Sequence, residues 1–335
     1  MNAWFSVLSA LFIVLILVAI SLVGVETIGL NSVFGIYIPY VALAIFLLGI
    51  VIRLLQWARV PVPFRIPTTA GQEKSLPWIK YEYLDNPHNT LGVIFRMILE
   101  VLLFRSLFRN IKGEVRDGPR LTFASAKWLW LFGILFHYAF LTIVLRHLRF
   151  FLEPIPSFVA IITSLDSFFD ILIPTVFLTD IVFLGAAGYL FLRRIVIPQM
   201  RYLSLPADYF ALFLIIGIGV SGVLMRQFIK VDLLKVKELA TGLVTFSMPA
   251  APEGIGVIFY VHIFLVSCLL AYFPFSKLMH APGVFLSPTR NMANNNRFRR
   301  HVNPWNYPVK VHTYEEYEDE YREKMKAVGL PVDKE

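Results

Sequence analysis

Long apolar runs separated by polar segments dominate this chain. Six of the runs are each about 20 residues long, which is the length that a helix needs to cross the hydrocarbon core of a bilayer. These runs are Phe5–Val25, Val33–Leu55, Trp128–Leu148, Phe168–Leu192, Tyr209–Ile229 and Gly254–Ser276. The pattern predicts an all-α, polytopic membrane protein with six transmembrane helices.

The composition supports this class and excludes others. Of 335 residues, 57% are hydrophobic and 16% are charged, with a mean hydropathy of +0.66. An ordinary soluble domain carries roughly 25% charged residues. A soluble protein of this size could not hide so much apolar surface, and an intrinsically disordered chain would not contain it.

Cysteine usage and net charge narrow the chemistry further. The single cysteine, Cys268, cannot build a disulfide framework, a thiolate zinc site or a cysteine-held iron–sulfur cluster. The net charge is +8. In a membrane protein this excess indicates cytoplasmic segments rich in Lys and Arg, and not nucleic-acid binding.

The polar segments divide the chain into four predicted parts. The predicted parts are an N-terminal two-helix membrane hairpin (1–55), a cytoplasmic loop (56–127), a membrane bundle (128–276) and a cytoplasmic C-terminal tail (277–335). Most Lys and Arg residues fall in the loop, in the tail and between the fourth and fifth runs. By the positive-inside rule, both termini are expected in the cytoplasm, with the chain crossing the cytoplasmic membrane several times.

The tail contains two oppositely charged stretches. Arg290–Arg300 is basic and rich in asparagine, whereas Glu315–Glu323 is acidic and predicts a short helix that ends near Gly329. The tail is either a solvated extension or a docking surface for a cytoplasmic partner.

Four of the seven histidines lie in or at the ends of two apolar runs. His137 and His147 belong to the third run, and His262 and His280 to the sixth. Ionisable groups in a bilayer are costly and usually functional. Because haem b takes one axial imidazole on each side of its iron, two histidine pairs predict two haems b.

Antiparallel helices suggest which histidines form each pair. The nested arrangement joins His147 to His262 near the outer face and His137 to His280 near the cytoplasm. Eighteen residues are five whole helical turns, so His262 and His280 are expected on one face. A kink at Pro274 is expected to absorb part of the difference between the two spacings.

These histidine spacings of 10 and 18 resemble those of the cytochrome b subunit of respiratory nitrate reductase. Segments outside the helices resemble the DsrM family more closely. The segments are Pro61–Gln72, Glu100–Asn110, Val144–Phe151 and Phe285–His301. Members of that family are the cytochrome b subunits of the DsrMKJOP complex, which is described as menaquinol-oxidising with a heterodisulfide-reductase-like partner.

The resemblance implies a specific function. It implies two haems b held in a four-helix bundle formed by the third to sixth runs. It also implies oxidation of menaquinol near the outer face and electron transfer to a cytoplasmic iron–sulfur, heterodisulfide-reductase-like subunit in sulfate or sulfite respiration. Further redox subunits in the membrane and outside it are expected partners.

Several charged residues could support these cofactors. Arg146, Arg149 and Arg226 lie near the outer ends of helices and could bind haem propionates, although such arginines also snorkel to lipid headgroups. Asp180 lies in the middle of the fourth run. It should therefore be protonated, paired, or hydrogen-bonded to a ligating imidazole, unless it is merely a packing residue beside Thr179.

The quinol site is less defined by the sequence. A proton acceptor is needed near the outer haem, and the candidates are Glu153, Asp170 and Glu253. Two alternative functions remain open at this level. One is the same electron path run in reverse as a quinone reductase, and the other is a proton-coupled transporter that uses membrane His and Asp residues.

Overall fold

The computed structural model describes residues 3–60, 71–116, 118, 120–168, 177–247, 250–299, 308 and 311–334. The elements in chain order are α1 (Ala3–Glu26), α2 (Ile38–Ala58), α3 (Thr90–Leu103), α4 (Arg105–Phe108), β1 (Ile111–Arg116), β2 (Arg120–Ser125), α5 (Lys127–His147), α6 (Ser157–Phe168), α7 (Leu178–Val196), α8 (Pro198–Leu203), α9 (Pro206–Gln227), α10 (Leu233–Thr245), α11 (Val257–Tyr272), α12 (His280–Leu286), α13 (Pro288–Asn291) and α14 (Tyr314–Ala327). One π turn and three 3₁₀ turns extend this set: Val33–Tyr37, Leu148–Phe150, Phe273–Phe275 and Lys277–Met279.

Within the described ranges, five helical stretches are long and apolar enough to cross a membrane. They are Trp4–Glu26, Val33–Ala58, Lys127–Phe150, Pro206–Gln227 and Val257–Phe275. They match five of the six predicted spans and agree with a polytopic membrane protein. The predicted span Phe168–Leu192 includes residues 169–176, which lie outside the described residues. Its described part, α7, carries Asp180, Arg193 and Arg194, so six spans remain a prediction.

The long helices pack in an order that follows the chain. Helix α5 packs on α7, α7 on α9, and α9 on α11. The N-terminal helices cover the other side, since α1 lies against α9 and α11 while α2 lies against α11. A Cβ atom added at Gly49 would stand 2.6 Å from Pro274, so only glycine lets α2 approach the end of α11 this closely.

A two-stranded hairpin departs from the all-α prediction. Strands β1 and β2 pair antiparallel, with Ile111 opposite Ser125. Gly118 lies in the turn with φ +80°, a conformation that glycine adopts without strain. The two strands alternate polar and apolar residues with a period of two, which is typical of a strand.

The sixth predicted helix is broken and not merely kinked. Helix α11 ends at Tyr272, and Ser276 is extended with φ −115° and ψ 176°. Pro274 has no N–H to continue the helix and its ring clashes with the preceding turn. The expectation that His262 and His280 share one face of a continuous helix is therefore wrong, because His280 begins the separate helix α12.

The loop before α3 and the start of the tail form a joint unit with a polar interior. Arg96 on α3 is 3% exposed and donates hydrogen bonds to the carbonyls of Asp85, Thr289, Arg290 and Met292. These contacts join segments nearly 200 residues apart. Neither segment could bury a core alone, and together they satisfy one guanidinium with backbone oxygens.

The predicted tail helix is confirmed as α14. Thr313 accepts from the N–H of Glu316, whose carboxylate accepts from the N–H of Thr313, so a capping box starts the helix. Gly329 follows the last turn with φ +74°. The buried carboxylate of Glu318 accepts from the backbone N–H groups of Asp333 and Lys334, each at 2.8 Å, and ties the chain end back to α14.

Asp85 provides a pH-dependent contact in the loop–tail unit. Burial alone would raise the pKa of Asp85, but hydrogen bonds and charge from Arg105 and Arg109 outweigh it and hold the pKa below its ordinary value. A lowered pKa means that the carboxylate stabilises the fold above the unfolded-state pKa of about 3.9. This contribution is lost as the pH falls through the lower, folded-state pKa.

We therefore expect acidification below about pH 3.9 to loosen the loop–tail unit in the natural chain. Asp85→Asn should lower the thermal midpoint at neutral pH and abolish the part of the acid dependence that Asp85 supplies. Thermal unfolding of the purified chain across a pH series measures both effects. Glu323→Gln, at an exposed position of α14, is the matched control and should change neither.

Candidate functional site

Four imidazole rings meet in two pairs. The ring centres of His147 and His262 are 6.3 Å apart, and their planes are inclined by only 10°. The ring centres of His137 and His280 are 5.9 Å apart, and their planes are inclined by 86°. The structure thus brings together the same two pairs as the nested arrangement predicts.

Helix packing explains how the rings meet. Helix α5 packs against α7, whereas α11 packs against α9, α1 and α2, so the backbones of α5 and α11 stay apart. The imidazoles bridge this separation at two levels, ten residues apart along α5. His280 reaches the level of His137 because the chain breaks at Pro274 and restarts as α12.

Each Nδ1 atom of the four rings has a hydrogen-bond acceptor. The acceptors are the carbonyl of Gly133 for His137 at 2.7 Å, that of Ile143 for His147 at 2.7 Å, the hydroxyl of Ser221 for His262 at 2.9 Å and the carbonyl of Lys277 for His280 at 2.9 Å. A neutral ring that donates from Nδ1 keeps its lone pair on Nε2. All four rings are therefore prepared to bind a metal through Nε2.

Ser221 is a partner that the sequence analysis missed. Its hydroxyl donates to the carbonyl of Ile218 at 2.9 Å, so its oxygen accepts the proton of His262 Nδ1. In the sequence, the small residues Gly219 and Gly222 near Ser221 indicate a close helix contact, but they do not indicate a partner for a histidine. A Cβ atom added at Gly222 would lie 3.5 Å from His262, so this contact includes the imidazole itself.

The spacing of the rings fits a pair of axial ligands. An imidazole nitrogen binds a first-row metal at about 2.0–2.1 Å and the ring centre lies about 1 Å behind it, so two ligands on opposite sides of one iron have centres roughly 6 Å apart. The observed separations are 5.9 Å and 6.3 Å. The donor set, the tautomers and the spacing thus fit two haems b, one for each pair.

Aromatic side chains surround the imidazoles. Phe104 and Phe136 lie edge-on to His137, with ring centres at 5.0 Å and 5.2 Å. Phe150 lies 5.9 Å from His147. An apolar shell of this kind limits solvent access and thereby influences the potential of a bound metal.

Arg146 is buried in an ionic cluster. It is 6% exposed, its Nη1 lies 2.7 Å from Asp166, and its Nη2 donates to Asp180 at 3.0 Å. Asp166 also accepts from Thr179, whose hydroxyl lies at 2.6 Å. Two carboxylates from α6 and α7 thus hold the guanidinium of Arg146, and propionate binding by this residue stays a prediction.

Asp180 lies in the same cluster. Of the alternatives that the sequence left open, the structure shows the ion pair, because Arg146 Nη2 lies 3.0 Å from the carboxylate of Asp180. The guanidinium carbon of Arg146 lies 3.9 Å from the ring centre of buried Phe177, and that of Arg226 lies 3.2 Å from it. Arg149 stacks instead on Phe150, at 4.7 Å.

The three quinol-site candidates differ in their surroundings. Glu153 forms an ion pair with Lys237 at the edge of a cleft of about 560 Å³ that α10 lines. Glu253 is exposed, and its carbonyl accepts from Lys235 at 2.7 Å. Asp170 lies outside the described residues.

The cleft of Glu153 is connected to the pair formed by His147 and His262. Thr241 on the cleft wall donates to the carbonyl of Phe150 at 3.4 Å, and the ring of Phe150 contacts His147. Helix α10 was not anticipated as a wall of this cleft. Its sequence signal is Asp232, whose carboxylate caps the helix by accepting from the N–H groups of Leu234 and Lys235.

The Arg146 cluster leads to a stability prediction. Arg146→Met should destabilise the chain by about 3–5 kcal/mol, because it removes the guanidinium that contacts both Asp166 and Asp180. Adding Asp166→Asn and Asp180→Asn should restore much of this loss. Thermal unfolding of the single and triple variants measures both effects, and an Arg146→Met chain as stable as its parent would contradict the assignment.

Comparison with known proteins places the chain in a family. The profile of the nitrate reductase gamma subunit family matches residues 119–298, which include all four histidines. A protein of Archaeoglobus fulgidus named Hdr-like menaquinol oxidoreductase cytochrome b-like subunit is 50% identical over 282 residues, covering 82% of this chain and 84% of that protein.

A protein of the same name from Archaeoglobus profundus is 42% identical over 275 residues, covering 80% of this chain and 81% of that protein. Both relatives match most of their length, so the similarity extends well beyond the helices that carry the histidines. The names of these relatives indicate a redox role. The chain belongs to the nitrate reductase gamma subunit family, and within it to the DsrM-like cytochromes b.

Proposed function

We propose that this chain is a dihaem cytochrome b that oxidises menaquinol near the outer face of the cytoplasmic membrane. It would deliver the electrons to a cytoplasmic iron–sulfur, heterodisulfide-reductase-like subunit in sulfate or sulfite respiration. The observation that carries the proposal is the pair of opposed imidazoles at each of two levels. The relatives named as menaquinol oxidoreductase subunits support the substrate.

The four histidines would hold the cofactors. His147 and His262 would hold the outer haem, and His137 and His280 the inner one. When bound, two haems b supply one-electron carriers at two depths of the bilayer, which divides the roughly 30 Å of hydrocarbon into shorter steps. The acceptors at Nδ1 fix the ring orientations and make each Nε2 more basic.

Arg149 and Arg226 would bind the propionates of the outer haem. A guanidinium fork matches a carboxylate, and both residues lie on elements next to the outer imidazole pair. Their stacking on Phe150 and Phe177 orients their guanidinium groups. Arg146 would contribute indirectly, by holding α6 and α7 against α5.

The cleft beside α10 is the best-supported position for menaquinol. It is an open groove of about 560 Å³ that lies between Glu153 and α10. Glu153 at its edge would accept a quinol proton, and its ion pair with Lys237 would keep the carboxylate ionised until it does so. Phe150, which lies between the cleft and His147, would exclude water from the short path between them.

The cytoplasmic partner would dock on the loop–tail unit. This unit holds segments from before α3 and after α12, and α12 begins with His280 of the inner pair. A partner bound there would lie near the inner haem. The proposal also includes further redox subunits in the membrane and outside it, and only membership of the family supports them.

The haem assignment predicts two spectroscopically different centres. The purified chain should contain two low-spin haems b, and their electron paramagnetic resonance signals should differ because one imidazole pair is nearly parallel and the other nearly perpendicular. His147→Ala should remove one signal and His280→Ala the other. His312→Ala, at an exposed tail position, should remove neither, and a colourless preparation would refute the proposal.

The quinol assignment predicts a selective loss of rate. Glu153→Gln should slow haem reduction by a menaquinol analogue about 100-fold, because a general base is missing, while both haems stay bound. Stopped-flow absorbance measures the rate. Glu253→Gln is the matched control, and a loss at Glu253 in place of Glu153 would move the site. The favoured direction of electron transfer is found by comparing this rate with the rate at which the pre-reduced chain reduces quinone.

A further inference from the structure

Helix α3 is amphipathic, but its charged residues face the protein interior and its apolar residues face outward. Its buried face carries Gly92, Val93, Arg96 and Glu100. Its outward face is apolar, with exposures of 46–57%, and consists of Leu91, Ile94, Phe95, Ile98, Leu102 and Leu103. A helix that hides its charges and presents a continuous apolar stripe is poorly suited to face water.

The charges on the inward face are fully engaged. Arg96 donates to four backbone carbonyls of the loop–tail unit. Glu100 accepts from Arg290 at 2.7 Å and from the hydroxyl and N–H of Ser106. Because these partners already satisfy the charged side chains, α3 can enter an apolar medium without exposing an unpaired charge.

The end of α3 reaches deep along the membrane helix α5. The hydroxyl of Tyr138 donates to the carbonyl of Leu102 at 2.9 Å. The indole N–H of Trp130 donates to the carbonyl of Leu103 at 2.7 Å. Tyr138 lies eleven residues beyond the start of α5 at Lys127, which is about 16 Å along an ideal helix.

The chain reverses at this depth. Phe104 adopts the left-handed conformation with φ 49° and ψ 45°, which is unusual for a bulky residue. Helix α4 follows at once. Arg105 and Arg109, on and just after α4, pair with Asp85, which lies before α3. The segment therefore goes in and returns to the same side. The ring of Phe104 contacts His137 at the turning point.

Non-helical backbone at membrane depth is tolerated only when its polar groups are satisfied. The hydrogen bonds from Tyr138 and Trp130 satisfy two carbonyls at the end of α3. The N–H of Phe104 donates to the carbonyl of Leu99. This capping by membrane-helix side chains is what a turn inside the hydrocarbon region requires.

We propose that α3, Phe104 and α4 form a re-entrant hairpin whose outward face contacts the lipid acyl chains of the leaflet nearest the inner imidazole pair. In the proposed orientation this is the cytoplasmic leaflet, so α3 is not part of a water-exposed loop. Phe104 closes the inner pair from that side.

Lipid is favoured over a protein partner by continuity. The outward stripe of α3 adjoins the surface of α5, where Tyr138, Leu141 and Val144 are 46%, 51% and 45% exposed. Because α5 is a candidate membrane span, the same acyl chains that cover these residues would cover α3 at equal depth. The stripe carries no charged group that would select a protein surface.

Site-directed spin labelling of the full chain in liposomes tests this assignment. Cys268 is replaced by Ala to give a cysteine-free background, and one label is attached through Ile98→Cys. Val144→Cys on α5 provides the lipid reference. Trp78→Cys, at a position 77% exposed before α3, provides the water reference. The measurement compares relaxation of the label by oxygen, which partitions into lipid, and by a water-soluble nickel chelate.

We expect the label at position 98 to match the lipid reference, with high oxygen and low nickel accessibility. A ratio equal to that at position 78 would overturn the proposal in favour of a water-facing helix. A label open to nickel in the isolated chain and closed to both reagents in native membranes would overturn it in favour of a protein partner. Phe95→Cys on the same stripe repeats the test if Ile98→Cys alters the gel-filtration profile. None of these readouts depends on bound haem.

Discussion

Four hydrogen bonds from imidazole Nδ1 atoms are the constraint on which the arrangement of this chain depends. Each bond helps to fix a ring orientation and leaves Nε2 as the nitrogen that can bind a metal. Three acceptors are backbone carbonyls three or four residues earlier in the chain, so the local helix or turn itself supplies them. The fourth, Ser221, belongs to α9. Packing of α9 on α11 therefore orients His262, and the pairs form only when the helices assemble.

The end of the bundle that carries His147 depends on a second constraint, the pairing of buried charge. Arg146 lies next to His147 at the end of α5 and contacts carboxylates from α6 and α7. Isolated charges within a membrane would be costly, and one guanidinium between two carboxylates reduces that cost while it joins three helices. The cluster also places Phe177 against two arginines, Arg146 and Arg226.

At the end that carries His280, polar interactions between distant segments perform the corresponding task. Arg96, Glu100 and Arg290 join α3 to the start of the tail, and Asp85 receives the two arginines of the α4 segment. The charged side chains and the apolar side chains of this unit are thereby separated in space. The charges lie inside the unit, and the apolar side chains lie outside, against the membrane helices and the lipid that we propose covers them.

The sequence by itself determined the membrane class, five of the spans, the tail helix and the two histidine pairs. Apolar length and residue spacing are local properties, and antiparallel helices leave only one nested pairing. Only the tertiary structure decided that Arg146 binds Asp166 and Asp180, that Ser221 orients His262 and that α3 turns its charges inward. Each of these outcomes depends on contacts between segments far apart in the chain. A linear pattern does not specify such contacts, because a buried charge takes whichever partner the packing brings within reach.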